Sequence, residues 1–148
     1  MKNINNDVLS GIWTYRSWNN DPNLNTALSD LLFGEGFIQI NHGPMNEFHG
    51  IIFGTDDNKP GGTKTWQLKL TGSTNYGNPF TVRFQGKGVV GGDEWIYDYV
   101  GYLTLPWPNG VDQKAALTGS IVRVIPHPGG DGGLHPAGVT ASWYAVKN

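Results

Sequence analysis

The sequence predicts an all-β fold, a single domain built as an eight-stranded antiparallel up-and-down β-barrel. Eight segments have strand-like patterns, and none has a convincing helical one. Glycine is abundant, with 22 residues among 148, and six tryptophans, six tyrosines and six phenylalanines supply large apolar area. Glycine permits the sharp bends of a small barrel, and the aromatic residues can fill one core. We therefore expect residues 1–148 to form one barrel domain.

The eight predicted strands are bounded by clusters of Gly, Pro, Asn or Asp, which favour turns. They span 10–18, 31–41, 47–54, 64–73, 79–89, 94–104, 115–125 and 138–146. Short links at 74–79 and 91–93 favour antiparallel neighbours. Strands in meander order close most simply into a barrel, which has no exposed edges. A jelly roll or a sandwich is the competing arrangement.

Alternation of apolar and polar residues is clearest in the middle of the chain. Trp66, Leu68 and Leu70 share one face of the strand at 64–73, and polar residues occupy its other face. Such period-two patterning predicts a strand with one buried face and one face in water.

The strand at 94–104 breaks this alternation. Trp95 and Tyr97 lie on one face and Ile96 and Val100 on the other, so both faces are apolar or aromatic. One face of a barrel strand points outward, and exposed apolar patches usually mark contacts. We therefore predict a homodimer or a higher homo-oligomer. A surface loop that packs over the strand is the alternative.

Composition and charge exclude several classes of function. The net charge is −2, the pI is near 6.0 and Lys and Arg form no run, so no nucleic-acid partner is expected. The absence of cysteine excludes disulfides, thiolate nucleophiles and cysteine zinc sites. No apolar run is long enough for a membrane span or a signal peptide, so we expect no membrane partner and a cytoplasmic location.

A Gly-x-Trp element, Gly11-Ile12-Trp13, lies on the predicted first strand, and Arg123 lies among branched apolar residues of a late strand. This combination resembles the calycin signature, which lipocalins, avidins and fatty-acid-binding proteins share. The resemblance implies a lipocalin-like barrel in which an arginine or lysine, here Arg123, stacks on the tryptophan and closes one end. Gly11, Trp13 and Arg123 would then be structural residues. The alternative is that Arg123 is a ligand-binding cation inside the barrel.

Asp98 is the first candidate for catalysis, because it is an acid in the middle of an aromatic strand. A carboxyl group among aromatic rings tends to have a raised pKa, which suits general acid or base chemistry. With its neighbours Tyr97 and Tyr99 it forms the predicted catalytic set. A salt bridge to an arginine, or simple exposure to water, is the structural alternative.

Aromatic side chains that face a barrel interior can orient a small ligand. The residues predicted to bind a ligand are Tyr15, Trp66, Phe84, Tyr102 and Trp143. The loop 126–136 contains His127, Asp131 and His135, which are residue types that bind zinc. Their spacing matches no known metal site, so we predict a mobile loop at the barrel mouth, and neither a metal nor a cofactor.

Two functions and a third, purely structural interpretation fit these features; the third is a structural or oligomerising accessory domain, which a dry and filled barrel would favour. The first is binding of a small, largely apolar molecule inside the barrel, because eight-stranded barrels can hold one small ligand. The second is a cofactor-independent enzyme, such as a cyclase, an isomerase or a lyase, that uses the interior as a reaction chamber with Asp98 and a tyrosine as its acid–base pair.

Overall fold

A computed structural model describes residues 8–55, 65–75, 77, 80–106, 113–129 and 133–148. The strands in these residues are β1 (Gly11–Asn19), β2 (Leu32–His42), β3 (Glu47–Thr55), β4 (Thr65–Asn75), β5 (Thr81–Val90), β6 (Asp93–Thr104), β7 (Ala116–Arg123), β8 (His127–Pro128), β9 (Leu134–His135) and β10 (Thr140–Lys147). A short helix, α1 (Leu28–Leu31), precedes β2.

Eight of the described strands close into one antiparallel barrel, in the order β1-β10-β7-β6-β5-β4-β3-β2. Each barrel strand therefore pairs with its neighbours along the chain, and β10 closes the barrel against β1. The predicted all-β fold with an eight-stranded up-and-down barrel is confirmed, and the jelly roll and the sandwich are excluded. The bounds of the eight barrel strands agree with the prediction within two residues at every end. The predicted positions 64, 76, 78 and 79 lie outside the described residues.

The segment between β7 and β10 was predicted as a loop, and the structure instead has the small antiparallel hairpin β8–β9 there. His127 pairs with His135 and Pro128 with Leu134. A backbone hydrogen bond from Val124 N to the Ile96 carbonyl, at 2.9 Å, holds the turn before the hairpin against β6. The hairpin therefore lies at the end of the barrel where β7 finishes.

The other end of the barrel is closed by Trp13, at the start of β1. Trp13 is fully buried, and its indole Nε1 donates to the Leu9 carbonyl at 2.9 Å. Lys147 Nζ lies 5.9 Å from the centre of the indole ring and donates to the Val8 carbonyl at 2.7 Å. Lys147 is also the partner of Trp13 in the β1–β10 register. We call this the Trp13 end of the barrel.

The expected stack of Arg123 on Trp13 is wrong. β1 and β7 run in the same direction, so the start of β1 and the end of β7 lie at opposite ends of the barrel. The cation beside Trp13 is Lys147, and Arg123 packs on Phe33 and Tyr97 instead. We call the end where β7 finishes the Arg123 end.

Gly11 makes room for this lysine. Its φ of +133° lies in the region that favours glycine, and a Cβ there would lie 3.2 Å from Lys147 Cε. A side chain at position 11 would therefore be strained and would crowd the lysine that covers Trp13.

Aromatic side chains fill the middle of the barrel. The rings of Phe84 and Tyr99 stack with centroids 4.5 Å apart, and Trp143 meets them edge-on at 5.5 and 5.9 Å. Tyr15 lies 6.4 Å from Tyr99. Gly101 accommodates the indole, since a Cβ at that position would lie 2.7 Å from a ring carbon of Trp143. We call Tyr15, Phe84, Tyr99 and Trp143 the central aromatic cluster.

Candidate functional site

The Arg123 end of the barrel holds a cluster of polar and aromatic side chains that differs from the apolar middle. Alternation along β6 turns Trp95 and Tyr97 inward, and Tyr97 is the register partner of Arg123 on β7. The hairpin that follows β7 brings His127 back onto them.

Phe33 completes the cluster because β1 and β2 are out of register at one point. Ser17 pairs with Gly34 but the next residue pairs with Leu32, so Phe33 is the additional residue of a bulge. Its ring lies 6.1 Å from that of Tyr97 and 5.4 Å from the Arg123 guanidinium carbon. We call Phe33, Trp95, Tyr97, Arg123 and His127 the Arg123 cluster.

A directed chain of hydrogen bonds links three members of the cluster. His127 Nδ1 lies 3.0 Å from the Pro128 carbonyl, which can only accept, so we assign the proton to Nδ1. In the neutral ring Nε2 is then an acceptor, and the Tyr97 hydroxyl donates to it at 2.7 Å. Arg123 Nε donates to the same hydroxyl oxygen at 3.2 Å, and its Nη1 donates to the Pro136 carbonyl at 3.1 Å.

The surroundings of His127 favour its neutral form. Burial lowers the pKa of His127 below its ordinary 6.5, and the positive charge of Arg123 and the nearby His135 lower it further. The hydrogen bond to Pro128 and the charge of Asp93 act in the opposite direction. The imidazole therefore carries no charge at neutral pH.

Tyr97 stays protonated in the same environment. Burial raises the pKa of Tyr97, although the hydrogen bond and the charge of Arg123 oppose this shift. The phenol is therefore a hydrogen-bond donor, and it directs its proton toward a neutral histidine.

Arg123 is a buried cation, with 5% of its surface exposed. Of its five N–H donors, one on Nε and one on Nη1 have acceptors in the part of the chain that the structure describes. No carboxylate among those residues forms an ion pair with it. The faces of Phe33 and Tyr97 lie within 6 Å of the guanidinium, and such cation–π contacts contribute about 1–2 kcal/mol when they are desolvated.

Trp95 has an unpartnered donor. Its ring stacks on the His127 imidazole, with centroids 4.1 Å apart and planes 15° apart. The indole Nε1 is buried and has no acceptor within the described stretches of the chain. A buried donor without a partner costs about 1–3 kcal/mol, so such groups are rare unless another molecule satisfies them.

The predicted catalytic set is divided between three places. Tyr97 belongs to the Arg123 cluster, and Tyr99 belongs to the central aromatic cluster, where burial raises its pKa well above the ordinary value. Asp98 lies exposed on the outer wall, where it accepts a hydrogen bond from Gln85 at 2.9 Å. The expectation of a buried carboxyl group at Asp98 is wrong, because residues of even number on β6 point outward.

The predicted ligand-binding residues divide in a similar way. Tyr15, Phe84 and Trp143 meet in the central aromatic cluster, where they pack on one another. Trp66 is half-buried against the core. Tyr102 is 49% exposed on the outer wall, so its predicted place inside the barrel is wrong for the same reason as that of Asp98.

Sequence reasoning missed Trp95 and Phe33 as site residues, and it considered His127 only as a zinc-type residue in a mobile loop. His127 stands between Pro126 and Pro128, and prolines fix the backbone on both sides of it, which argues against a mobile loop. That local pattern could have identified His127. Phe33 could not have been found in this way, because its position depends on a bulge in the pairing of β1 with β2.

Metal ligation gains no support from the residues described. Among them, no three His, Asp or Glu side chains are grouped so that they could hold a metal ion. Asp131, which the sequence places between His127 and His135, lies outside the described residues.

Comparison with protein-family models, with curated proteins and with solved structures finds no match for this chain. In the described ranges, no helix is both long enough and apolar enough to cross a bilayer. The Arg123 cluster is therefore the feature of the described chain from which we infer a function.

Proposed function

We propose that this protein is a calycin-like barrel that binds a small, largely apolar molecule at its Arg123 end. The observation that carries this proposal is the buried indole Nε1 of Trp95, which has no acceptor in the described part of the chain. Native proteins pair almost all buried donors, and a ligand with a hydrogen-bond acceptor would satisfy this one.

The surroundings of Trp95 suit such a ligand. The rings of Trp95, Tyr97, Phe33 and His127 supply flat apolar area on several sides. Sites of this kind combine aromatic walls with a few fixed polar groups, which decide how the ligand is oriented. The end of the barrel is favoured over its middle, because the central aromatic cluster already fills the middle.

The contact at the opposite end supports the calycin-like part of the proposal. In the calycin resemblance, a basic residue from a late strand covers the tryptophan of Gly-x-Trp. Lys147, from the last strand, takes that place against Trp13.

Native mass spectrometry of gently purified protein, followed by extraction of any bound compound, tests this function. The wild type should carry a compound in a fixed ratio to the chain. Trp95→Phe keeps an aromatic ring, although a smaller one, and removes the indole donor, so it should bind that compound at least about five-fold more weakly, as expected for the loss of one hydrogen bond of about 1 kcal/mol. Trp18→Phe, on the outward-facing side of β1, is the matched control and should bind as the wild type does.

A wild type that carries no compound, and that binds no member of a library of small aromatic acceptors, would overturn the proposal. So would a Trp95→Phe variant that binds the extracted compound as tightly as the wild type.

The alternative function, a cofactor-independent cyclase, isomerase or lyase, is favoured by one observation. Tyr97 and His127 form a donor–acceptor pair at 2.7 Å, and such pairs transfer protons in general acid–base catalysis. In this alternative Tyr97 and His127 form the acid–base pair, and His127 takes the place of the predicted Asp98. Tyr97→Phe should then abolish turnover of the extracted compound while the compound still binds, whereas Tyr102→Phe on the outer wall should have no effect. Equal turnover by both variants would refute the enzyme.

A further inference from the structure

We propose that the ligand of the Arg123 cluster carries one carboxylate group, which pairs with the Arg123 guanidinium, on a planar apolar body. This inference rests on the proposed binding function and specifies the class of its ligand. It starts from the charge of the cluster, whereas the proposed function starts from the unpaired donor of Trp95.

Arg123 has an unbalanced positive charge. It is almost completely buried, and the groups around it are the ring of Phe33, the phenol of Tyr97 and the backbone carbonyl of Pro136, all of them neutral. A buried charge normally has a partner of opposite sign, because leaving it alone costs far more than burying an ion pair. No such partner exists within the described residues. A bound anion would supply it.

The other charged groups near the cluster do not fill this role. Asp93 and His135 exert electrostatic effects on His127, and no ion pair in the described part of the chain links Asp93 to Arg123. His127 itself is held in its neutral form. The cluster therefore has a net charge of about +1 facing the ligand, as one arginine dictates.

A single positive charge selects a monoanion. A carboxylate matches the planar guanidinium, which has N–H groups left to donate. A phosphate dianion would leave an unbalanced negative charge among apolar rings, because no second cation of the cluster faces it. A planar apolar body suits the aromatic rings of the cluster, of which Trp95 is only half-buried.

Two probes with the same body separate charge from shape: 2-naphthoate, which is a carboxylate, and 2-naphthamide, which is neutral. Isothermal titration calorimetry with the wild-type protein should give a dissociation constant at least about ten-fold lower for naphthoate. Arg123→Gln should lose this preference, whereas Arg83→Gln, on the exposed outer wall, should keep it. Arg123→Lys should keep part of it, because it retains the charge and loses the planar fork.

The outcomes distinguish this inference from the function on which it rests. Equal affinity of the wild type for both probes would overturn the carboxylate and leave small-molecule binding in place. Binding of neither probe at millimolar concentration would overturn the planar carboxylate, whereas small-molecule binding falls only if the wild type also carries no compound. Circular dichroism would reveal whether Arg123→Gln folds. If it does not fold, the affinities of the wild type for the two probes still test whether a carboxylate is preferred.

The compound extracted from the wild type gives an independent result. It should be an organic acid that ionises as an anion in the mass spectrometer. A bound compound with no acidic group would contradict the inference while supporting the proposed function.

Discussion

At the scale of single residues, two cations inside the barrel have different roles. Lys147 lies on the ring of Trp13 and donates to a backbone carbonyl at the Trp13 end. Arg123 lies on Phe33 and Tyr97 at the other end, where no carboxylate of the described chain pairs with it. We infer that the lysine stabilises the fold and that the arginine serves the ligand.

Replacing Lys147 tests the first of these roles. Lys147→Met keeps most of the length of the side chain and removes both the contact of the cation with Trp13 and the bond to Val8. The free energy of unfolding in urea should fall by about 1–3 kcal/mol. Lys69→Met, on the exposed face of β4, is the control and should change it by less than about 0.5 kcal/mol. Equal stability of the two variants would contradict a structural role for the lysine.

The titration of His127 should appear in the stability of the protein. The folded state lowers the pKa of His127, so at acid pH the unfolded chain binds a proton that the folded chain resists. The contribution of His127 to the free energy of unfolding should therefore be fully present at pH values above its ordinary pKa of 6.5. This contribution should be lost as the pH falls below 6.5. The charged or titratable groups that face this histidine are Arg123, His135, Asp93 and Tyr97.

Urea unfolding at about pH 7 and about pH 5 measures this loss. His127→Gln cannot titrate, so its stability should depend less on pH than that of the wild type over this interval. His49→Gln, on the exposed face of β3, is the control and should keep the wild-type dependence. A His127→Gln variant with an unchanged pH dependence would show that the histidine is not coupled to folding.

At the scale of elements, the strands could be predicted closely because their causes are local. Alternation and flanking turn residues mark each of the eight barrel strands, and every bound of these eight lies within two residues of its predicted one. The inward face of β6 could not be predicted, because both of its faces carry apolar residues. Its pairing with β5 and β7 decides that Trp95 and Tyr97 point inward and Asp98 outward.

The partner of Trp13 could have been predicted from strand directions. In an antiparallel meander the first and seventh strands run the same way, so the end of the seventh cannot meet the start of the first. The eighth barrel strand, β10, runs in the opposite direction to β1, which brings Lys147 beside Trp13. The apolar residues around Arg123 in the sequence do not indicate at which end of the barrel this arginine lies.

The close contact of β6 with β10 depends on a glycine. A Cβ at Gly101 would lie 2.7 Å from the Trp143 ring and 2.8 Å from the Thr118 carbonyl. Gly101→Ala should therefore destabilise the protein by about 1–3 kcal/mol, because overpacking a filled core forces its neighbours to move. The loss should be smaller in a Trp143→Phe background, where the ring is shorter, and urea unfolding of the four chains measures this coupling. Equal losses of stability in both backgrounds would show that a Cβ at position 101 does not meet the Trp143 ring.

At the scale of the whole molecule, we propose that the barrel associates with itself through the outer face of β6. Ile96 and Val100 are half-buried there, and Tyr102 is 49% exposed beside them. Asp98 interrupts this apolar face, although its bond to Gln85 satisfies part of its polarity. Covering apolar area contributes about 25 cal/mol per Å², and a two-fold interface uses the same patch on both copies.

Sedimentation at micromolar concentration tests this assembly. The wild type should sediment with twice the chain mass of 16.2 kDa or a higher multiple of it. Tyr102→Glu should shift it to the monomer, because it adds a second carboxylate to the face of β6 that already carries Asp98, and the interface would have to bury both. His49→Glu, on the exposed face of β3, should leave the assembly intact. A stable interface needs about 800 Å² from each partner, more than one strand supplies, so the contact must extend onto the outer face of the neighbouring strands. A wild type that sediments only as the monomer would show that the outer face of β6 tolerates water, and that its apolar residues serve the packing of the barrel alone.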